Sequence, residues 1–212
     1  MTAPAFRHVV VEGPIGAGKT SLARRLADTW GGELLLEEPS ENPFLPLFYK
    51  DMRRYALPTQ LSFLFQRAEQ LKGLSQPGLF SPLTVCDFLL DKDPLFARLN
   101  LDDAEFELYQ TVFDKLAPDT PPPDLVIYLQ APVQALTDRV RRRGVGYEQG
   151  MQAEYLARLA EAYSRFFHAY EAAPVLIVNS TKLNFVEDDE AFAMLLQRIT
   201  QMRGQREFFS RG

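Results

Sequence analysis

The chain has 212 residues, 46% of them hydrophobic and 24% charged, with a formal net charge of −5. These proportions exclude collagen-like, disulfide-rich and highly charged disordered chains, and the acidic balance argues against a general nucleic-acid coat. The one cysteine, Cys86, excludes an intrachain disulfide and suits a reducing compartment.

In chain order, Phe6 to Val11 reads as a β-branched strand that ends at a glycine. Lys19 to Trp30 reads as a helix stopped by Gly31-Gly32. Leu34 to Leu36 is the next strand, ended by acids and Pro39. Pro58 to Leu74 is rich in helix formers, and Leu83 to Cys86 is a strand that ends at Asp87. Asp102 to Leu116 begins with acids and stops before Pro118, as a helix should. Leu125 to Leu129 is a strand entered from three prolines. Pro132 to Arg142, with proline in its first turn, is a helix ending at Gly144. Gln152 to Tyr170 is a long helix, Val175 to Val178 a strand, and Asp188 to Met202 the last helix. Unalternating apolar runs suit strands buried on both faces, and parallel strands need helical crossovers. The expectation is one α/β domain, residues 1–203, with a parallel sheet between two helical layers, and a frayed tail over 204–212. No apolar run is long enough to cross a bilayer, and Met1 to Gly13 lacks a signal-peptide core. A soluble cytoplasmic protein is expected.

Gly13-Pro14-Ile15-Gly16-Ala17-Gly18-Lys19-Thr20 fits G-x-x-x-x-G-K-[ST] at every specified position. It follows a strand and opens a helix, as a phosphate loop must. Its glycines let backbone N–H groups turn inward, and the helix N-terminus adds a positive field. Lys19 reaches β and γ phosphates, and the Thr20 hydroxyl is a Mg²⁺ ligand. A GTPase would need N-K-x-D, which is absent. A mechanical ATPase stays open, because Val85-Cys86-Asp87 resembles a strand ending in a Mg²⁺-holding acid.

Ligands of open parallel sheets lie beyond the carboxyl ends of the strands. Glu38 and Asp87 end the second and third strands there. Phosphoryl transfer to a hydroxyl needs a metal, a cationic clamp and a base. Glu38 suits the base and Asp87 a Mg²⁺ ligand, directly or through water. Arg139 and Arg141 to Arg143, followed by Gly144 and Gly146, suit a lid over about 139–151; the bland alternative is a cationic helix end. Gln60 and Arg67 lie seven apart, on one helix face among aromatics, which suits a flat heterocycle as well as a half-buried helix. Leu156, Leu159, Tyr163, Phe166 and Tyr170 form a stripe read as core, His8 and His168 as structural, and Cys86 as an inert buried residue.

The chain resembles the deoxynucleoside kinase family, in particular bacterial deoxyguanosine and deoxyadenosine kinases. The resemblance is carried by Glu12 to Thr20, Glu37-Glu38-Pro39, Glu41 to Leu45, Phe48-Tyr49, Gln60 to Arg67, Asp87 with Phe96-Ala97, and Arg143-Gly144 with Glu148-Gln149-Gly150. It implies a P-loop kinase-type fold with a five-stranded parallel sheet, a homodimer, and ATP with Mg²⁺. It implies Glu38 as base for the sugar 5′-hydroxyl and Gln60 as bidentate partner of the base. Arg67 becomes a second base contact, with Asp93 as its partner. Tyr49 and Glu148 hold the 3′-hydroxyl, Arg139 and Arg143 the donor phosphates, and Asn184 and Phe185 line the adenine. Two arginines common in relatives fall at Phe88 and Val145; Lys92 is the candidate to replace the first, and Arg141 or Arg142 the second. Arg67 donors suit purine N7 and guanine O6, so a purine deoxynucleoside is favoured over deoxycytidine. The rival readings are another small P-loop kinase, such as a nucleoside monophosphate kinase, and a non-catalytic nucleotide-binding protein.

Overall fold

Val9, Val10 and Val11 are all fully buried and mark the centre of the sheet. The computed structural model describes residues 6–75, 83–181, 185 and 188–210. Its strands are β1 (His8–Glu12), β2 (Glu33–Leu35), β3 (Thr84–Cys86), β4 (Leu125–Gln130), β5 (Val175–Asn179) and β6 (Arg206–Phe209). They form one parallel sheet in the order β2-β3-β1-β4-β5-β6. The helices are α1 (Lys19–Trp30), α2 (Leu45–Phe48), α3 (Met52–Leu71), α4 (Asp93–Asn100), α5 (Asp103–Leu116), α6 (Val133–Arg143), α7 (Ala153–Ala169) and α8 (Asp189–Gln201).

Alternate strand residues feed opposite helical layers. Val9, Val11, Ile127 and Leu129 pack with Leu22 and Leu26 of α1 and Leu195 and Ile199 of α8. Val10, Val126, Tyr128 and Ile177 pack with Leu159, Tyr163 and Phe167 of α7. Helices cover both faces with apolar side chains, which is why the strands read as unbroken apolar runs. The α7 stripe is core, as expected: Leu156, Leu159, Tyr163 and Tyr170 are buried, and Phe166 packs against them.

The sheet has six strands, where five were expected. The tail expected to fray supplies the sixth: Val175–Val178 pair with Arg206–Phe209. Glu207 accepts bonds from the Arg203 and Gly204 backbone N–H groups and pairs with Arg198, which closes the turn into β6. Four residues led by two charged ones give no strand signal, and as an edge strand β6 leaves Phe208 exposed.

Two helix expectations also shift. α3 begins at Met52, six residues before the expected start at Pro58, because Asp51 caps it by accepting from the Arg54 N–H. Pro58 lies inside the helix, and the short helices α2 and α4 were not expected. α5 carries a reciprocal capping box between Asp102 and Glu105.

Candidate active site

A cavity of about 580 Å³ opens where the carboxyl ends of β1, β2 and β3 meet α3, α6 and α7. The phosphate loop forms its floor. Gly13 has a φ of +154°, and a Cβ there would sit 2.6 Å from the Leu129 carbonyl oxygen, so no side chain fits. Gly16, at φ +84°, is similarly pressed against the Leu136 carbonyl. Ile15, Gly16, Gly18, Lys19 and Thr20 line the cavity, while Gly13, Pro14 and Ala17 shape the loop from behind. The Lys19 ammonium donates to the Gly13 carbonyl at 2.8 Å. Burial lowers its pKa, and the nearby Lys92 lowers it further, against the carboxylates of Glu12, Glu37 and Asp87.

Thr20 and Asp87 meet: the hydroxyl donates to Asp87 Oδ2, and Asp87 Oδ1 accepts from the Glu37 backbone N–H at 2.7 Å. Burial raises the Asp87 pKa, and these hydrogen bonds with Lys19 offset part of the rise. An oxygen pair of one hydroxyl and one carboxylate beside a phosphate loop fits Mg²⁺, a hard cation that keeps most of its own waters. Among the described residues no group of three or more His, Cys, Asp or Glu could hold a metal by itself.

The acid at the end of β2 that enters the cavity is Glu37, not Glu38. Glu37 lines it; Glu38 is exposed and does not. The Glu37 N–H is drawn to Asp87, and Pro39 then opens a helical turn over 39–41, so the next residue, Glu38, points away. The Glu38 carbonyl accepts from Gln66 Nε2 at 3.0 Å. Arg67 Nε and Nη2 both donate to Glu37 Oε1, and Oε2 has no partner among the described residues. Burial pushes the Glu37 pKa up, but the Arg67 guanidinium, with Lys92 and Lys19, outweighs it and holds the value to about 2. A carboxyl held below its usual value of 4.5 stabilises the fold above that pH and loses the contribution as pH falls towards 2. In acid titration of unfolding, the wild type is expected to lose its stability advantage over Glu37→Gln across that interval; parallel curves would contradict the pairing.

Arg67 Nη1 reaches Asp93, which also accepts from the Tyr109 hydroxyl. Asp93 is fully buried behind Arg67 and does not line the cavity. Gln60 does line it, and its Oε1 has no hydrogen-bond partner. Phe63 and Phe96 add aromatic walls, and Arg67 lies over the Phe63 ring at 4.9 Å.

Tyr49 and Glu148 share the cavity wall. Burial raises the Tyr49 pKa well above its ordinary value, with Tyr155 and the Glu148 charge adding to it. Tyr147 stacks on Tyr49 at 5.8 Å. Arg143 is paired through Nη2 with both oxygens of Glu148, at 2.6 Å each. Arg139 braces the loop, donating to the Ala17 carbonyl at 3.5 Å and the Ser180 carbonyl at 2.7 Å. Arg141 and Arg142 are exposed and do not line the cavity, because they lie on the outer side of α6.

Lys92 lines the cavity, and its buried ammonium pairs with Glu12 at 2.8 Å. Glu12 was quoted from the sequence only as the start of the loop segment and was given no role. It is fully buried and accepts from the N–H groups of Gly13 and Leu89 and from the Tyr163 hydroxyl. A polar residue ending a strand reads as solvated, so only its place beside the phosphate loop could have flagged it. Phe185 packs into the main core rather than the cavity, because its chain is tied down where Arg25 donates to the Phe185 carbonyl. Asn184 lies outside the described residues. His8 Nε2 lies 3.3 Å from Cys86 Sγ, and Cys86 is buried, as expected.

The family model for deoxynucleoside kinase matches residues 9–202. A deoxyadenosine kinase of Lactobacillus acidophilus is 33% identical over 207 residues, covering 91% of this chain and 94% of that protein. A deoxyguanosine kinase of Bacillus subtilis is 30% identical, covering 95% and 98%. The solved deoxyadenosine kinase from M. mycoides with bound dCTP superimposes with a TM-score of 0.78 at 22% identity, covering 92% of this chain and 100% of that one.

Proposed function

The chain belongs to the deoxynucleoside kinase family and is a deoxynucleoside kinase, and from that premise we propose that it transfers the γ-phosphoryl group of ATP to the 5′-hydroxyl of a purine deoxynucleoside. The product is a 5′-monophosphate for nucleotide salvage. The observation that carries this reading is that Glu37, with one oxygen free, and Lys19 of the phosphate loop open on one cavity.

Glu37 Oε2 accepts the 5′-hydroxyl and aims its oxygen at the phosphorus. A carboxylate with a pKa of about 2 is a poor proton acceptor before transfer. In a loose transition state the hydroxyl keeps its proton until the new P–O bond forms. The work of Glu37 is therefore orientation first and proton acceptance late, as the attacking oxygen becomes acidic. Lys19 and the loop N–H groups take charge developing on the β and γ oxygens. Lys92, held by Glu12, presents a cation near the attacking oxygen where Phe88 supplies none. Thr20 and Asp87 would hold Mg²⁺, which neutralises phosphate charge when bound.

Tyr49 and Glu148 take the 3′-hydroxyl, which requires Arg143 to share or release Glu148. Arg143, once released, and Arg139 face the donor phosphates from the lid, residues 139–151. Gln60 meets the base with its free amide oxygen. Arg67 uses three of its five N–H donors on Glu37 and Asp93, leaving two for purine acceptors. The relatives named above, which act on deoxyadenosine and deoxyguanosine, support the purine preference. The reading extends to a cytoplasmic homodimer that binds neither nucleic acid nor membrane; among the described residues no helix is long and apolar enough to cross a membrane.

A panel of the four deoxynucleosides with ATP and Mg²⁺ tests the proposal. Deoxyguanosine or deoxyadenosine is expected to give the highest kcat/KM. Deoxycytidine or thymidine in the lead would overturn the purine assignment.

A further inference from the structure

Thr59 sits within α3, one residue before Gln60, and is 1% exposed. A helical threonine ordinarily turns its hydroxyl onto a carbonyl three or four residues back. Thr29 does so onto Arg25 at 2.7 Å, Thr111 onto Glu107 at 3.0 Å, Thr137 onto Val133 at 2.9 Å and Thr200 onto Gln197 at 2.8 Å. Thr20 donates to Asp87 instead. Among the described helical threonines, only Thr59 leaves its hydroxyl without a partner. A buried unmet hydroxyl costs stability, so its persistence needs a reason.

The surroundings narrow that reason. Thr59 lines the same cavity as Gln60, whose amide oxygen is equally unmet. Asn42 Nδ2 donates to the Thr59 carbonyl at 3.1 Å and fixes the backbone there. Leu45 and Phe48, on the adjoining wall, offer no side-chain acceptor. Phe63, four residues on, lies on the same side of the helix and also lines the cavity. Two unmet polar atoms from neighbouring residues of one helix, with the Phe63 ring one turn on, open on the same cavity and suit a flat, polar-edged ligand.

We infer that Thr59 is a specificity residue whose hydroxyl hydrogen-bonds the edge of the purine base beside the group taken by Gln60. The inference rests on the purine deoxynucleoside reading above. A glutamine amide turns to suit either donor–acceptor order, so Gln60 alone discriminates weakly. A base with no polar atom opposite Thr59 leaves the hydroxyl stranded and is disfavoured.

Thr59→Val keeps the branched shape and removes the hydroxyl. Its Tm is expected to rise by about 1–3 °C, because an unmet polar group leaves the interior. Its kcat/KM for the better purine deoxynucleoside is expected to fall about five- to tenfold, and the ratio between deoxyadenosine and deoxyguanosine to change by about threefold or more. Thr59→Ser is expected to keep the wild-type ratio. An unchanged ratio in Thr59→Val, whether all rates hold or all fall together, would overturn the inference. So would a lower Tm, which would show that the hydroxyl serves the fold. The wild-type panel separately decides the purine reading, so the two failures are distinguishable.

Discussion

Glu37→Gln is expected to lower kcat by about 10²–10⁴-fold, while Glu38→Gln stays within about threefold of wild type. The two acids are neighbours in sequence and equal in chemistry, so the contrast isolates geometry. Glu37 enters the cavity, held anionic by Arg67 with its second oxygen free. Glu38 faces solvent. Glutamine at 37 still offers Arg67 an acceptor, and Asp93 remains in place, so the fold survives the change. Steady-state kinetics with the best deoxynucleoside, beside a thermal melt of each variant, make the check. An equal loss in both variants, or a loss confined to Glu38→Gln, would remove Glu37 from the mechanism.

The second large effect is on stability. Asp93 is fully buried, paired with Arg67 and hydrogen-bonded by Tyr109. Asp93→Ala leaves a guanidinium and a phenol hydroxyl facing a void in the interior. Removing one partner of a buried pair costs about 3–5 kcal/mol, since the other charge stays behind without compensation. For a chain of this size that lowers Tm by roughly 6–20 °C. Glu37 still holds Arg67 in the variant, so the expected loss sits towards the lower half of that range. A melt within about 2 °C of wild type would mean that Arg67 finds equivalent contacts elsewhere.

How much of this was legible in the chain follows from how local each signal is. The phosphate loop is contiguous, and its glycines are demanded by backbone shape, so Gly13 to Thr20 could be read directly. Gln60 and Arg67 were legible because helical periodicity alone puts residues seven apart on one face. The central strands announced themselves through apolar runs that two helical layers cover. Glu37 was not legible, because choosing between adjacent acids depends on a hydrogen bond from its N–H to Asp87, fifty residues away in sequence. Glu12 was given no role because, besides the adjacent Gly13, its partners are Leu89, Lys92 and Tyr163, which only the folded chain brings together. The sixth strand was missed because Arg206–Phe209 pairs at an edge and needs little apolar content. Phe185 was misplaced because an aromatic beside a nucleotide and an aromatic in a core look alike in sequence.

The strand order bears on how the chain reaches this state. β1 lies between β3 and β4, and neither neighbour follows it directly in sequence. His8 waits for Thr84, and Val9 for Leu125, before either ladder closes. Loop-closure entropy must be met before those distant pairings return anything. On a ribosome, β1 therefore has no strand partner until residues near 86 have emerged and stays open along its other edge until residues near 130 follow, and its valines are the segment that nascent-chain chaperones would have reason to hold.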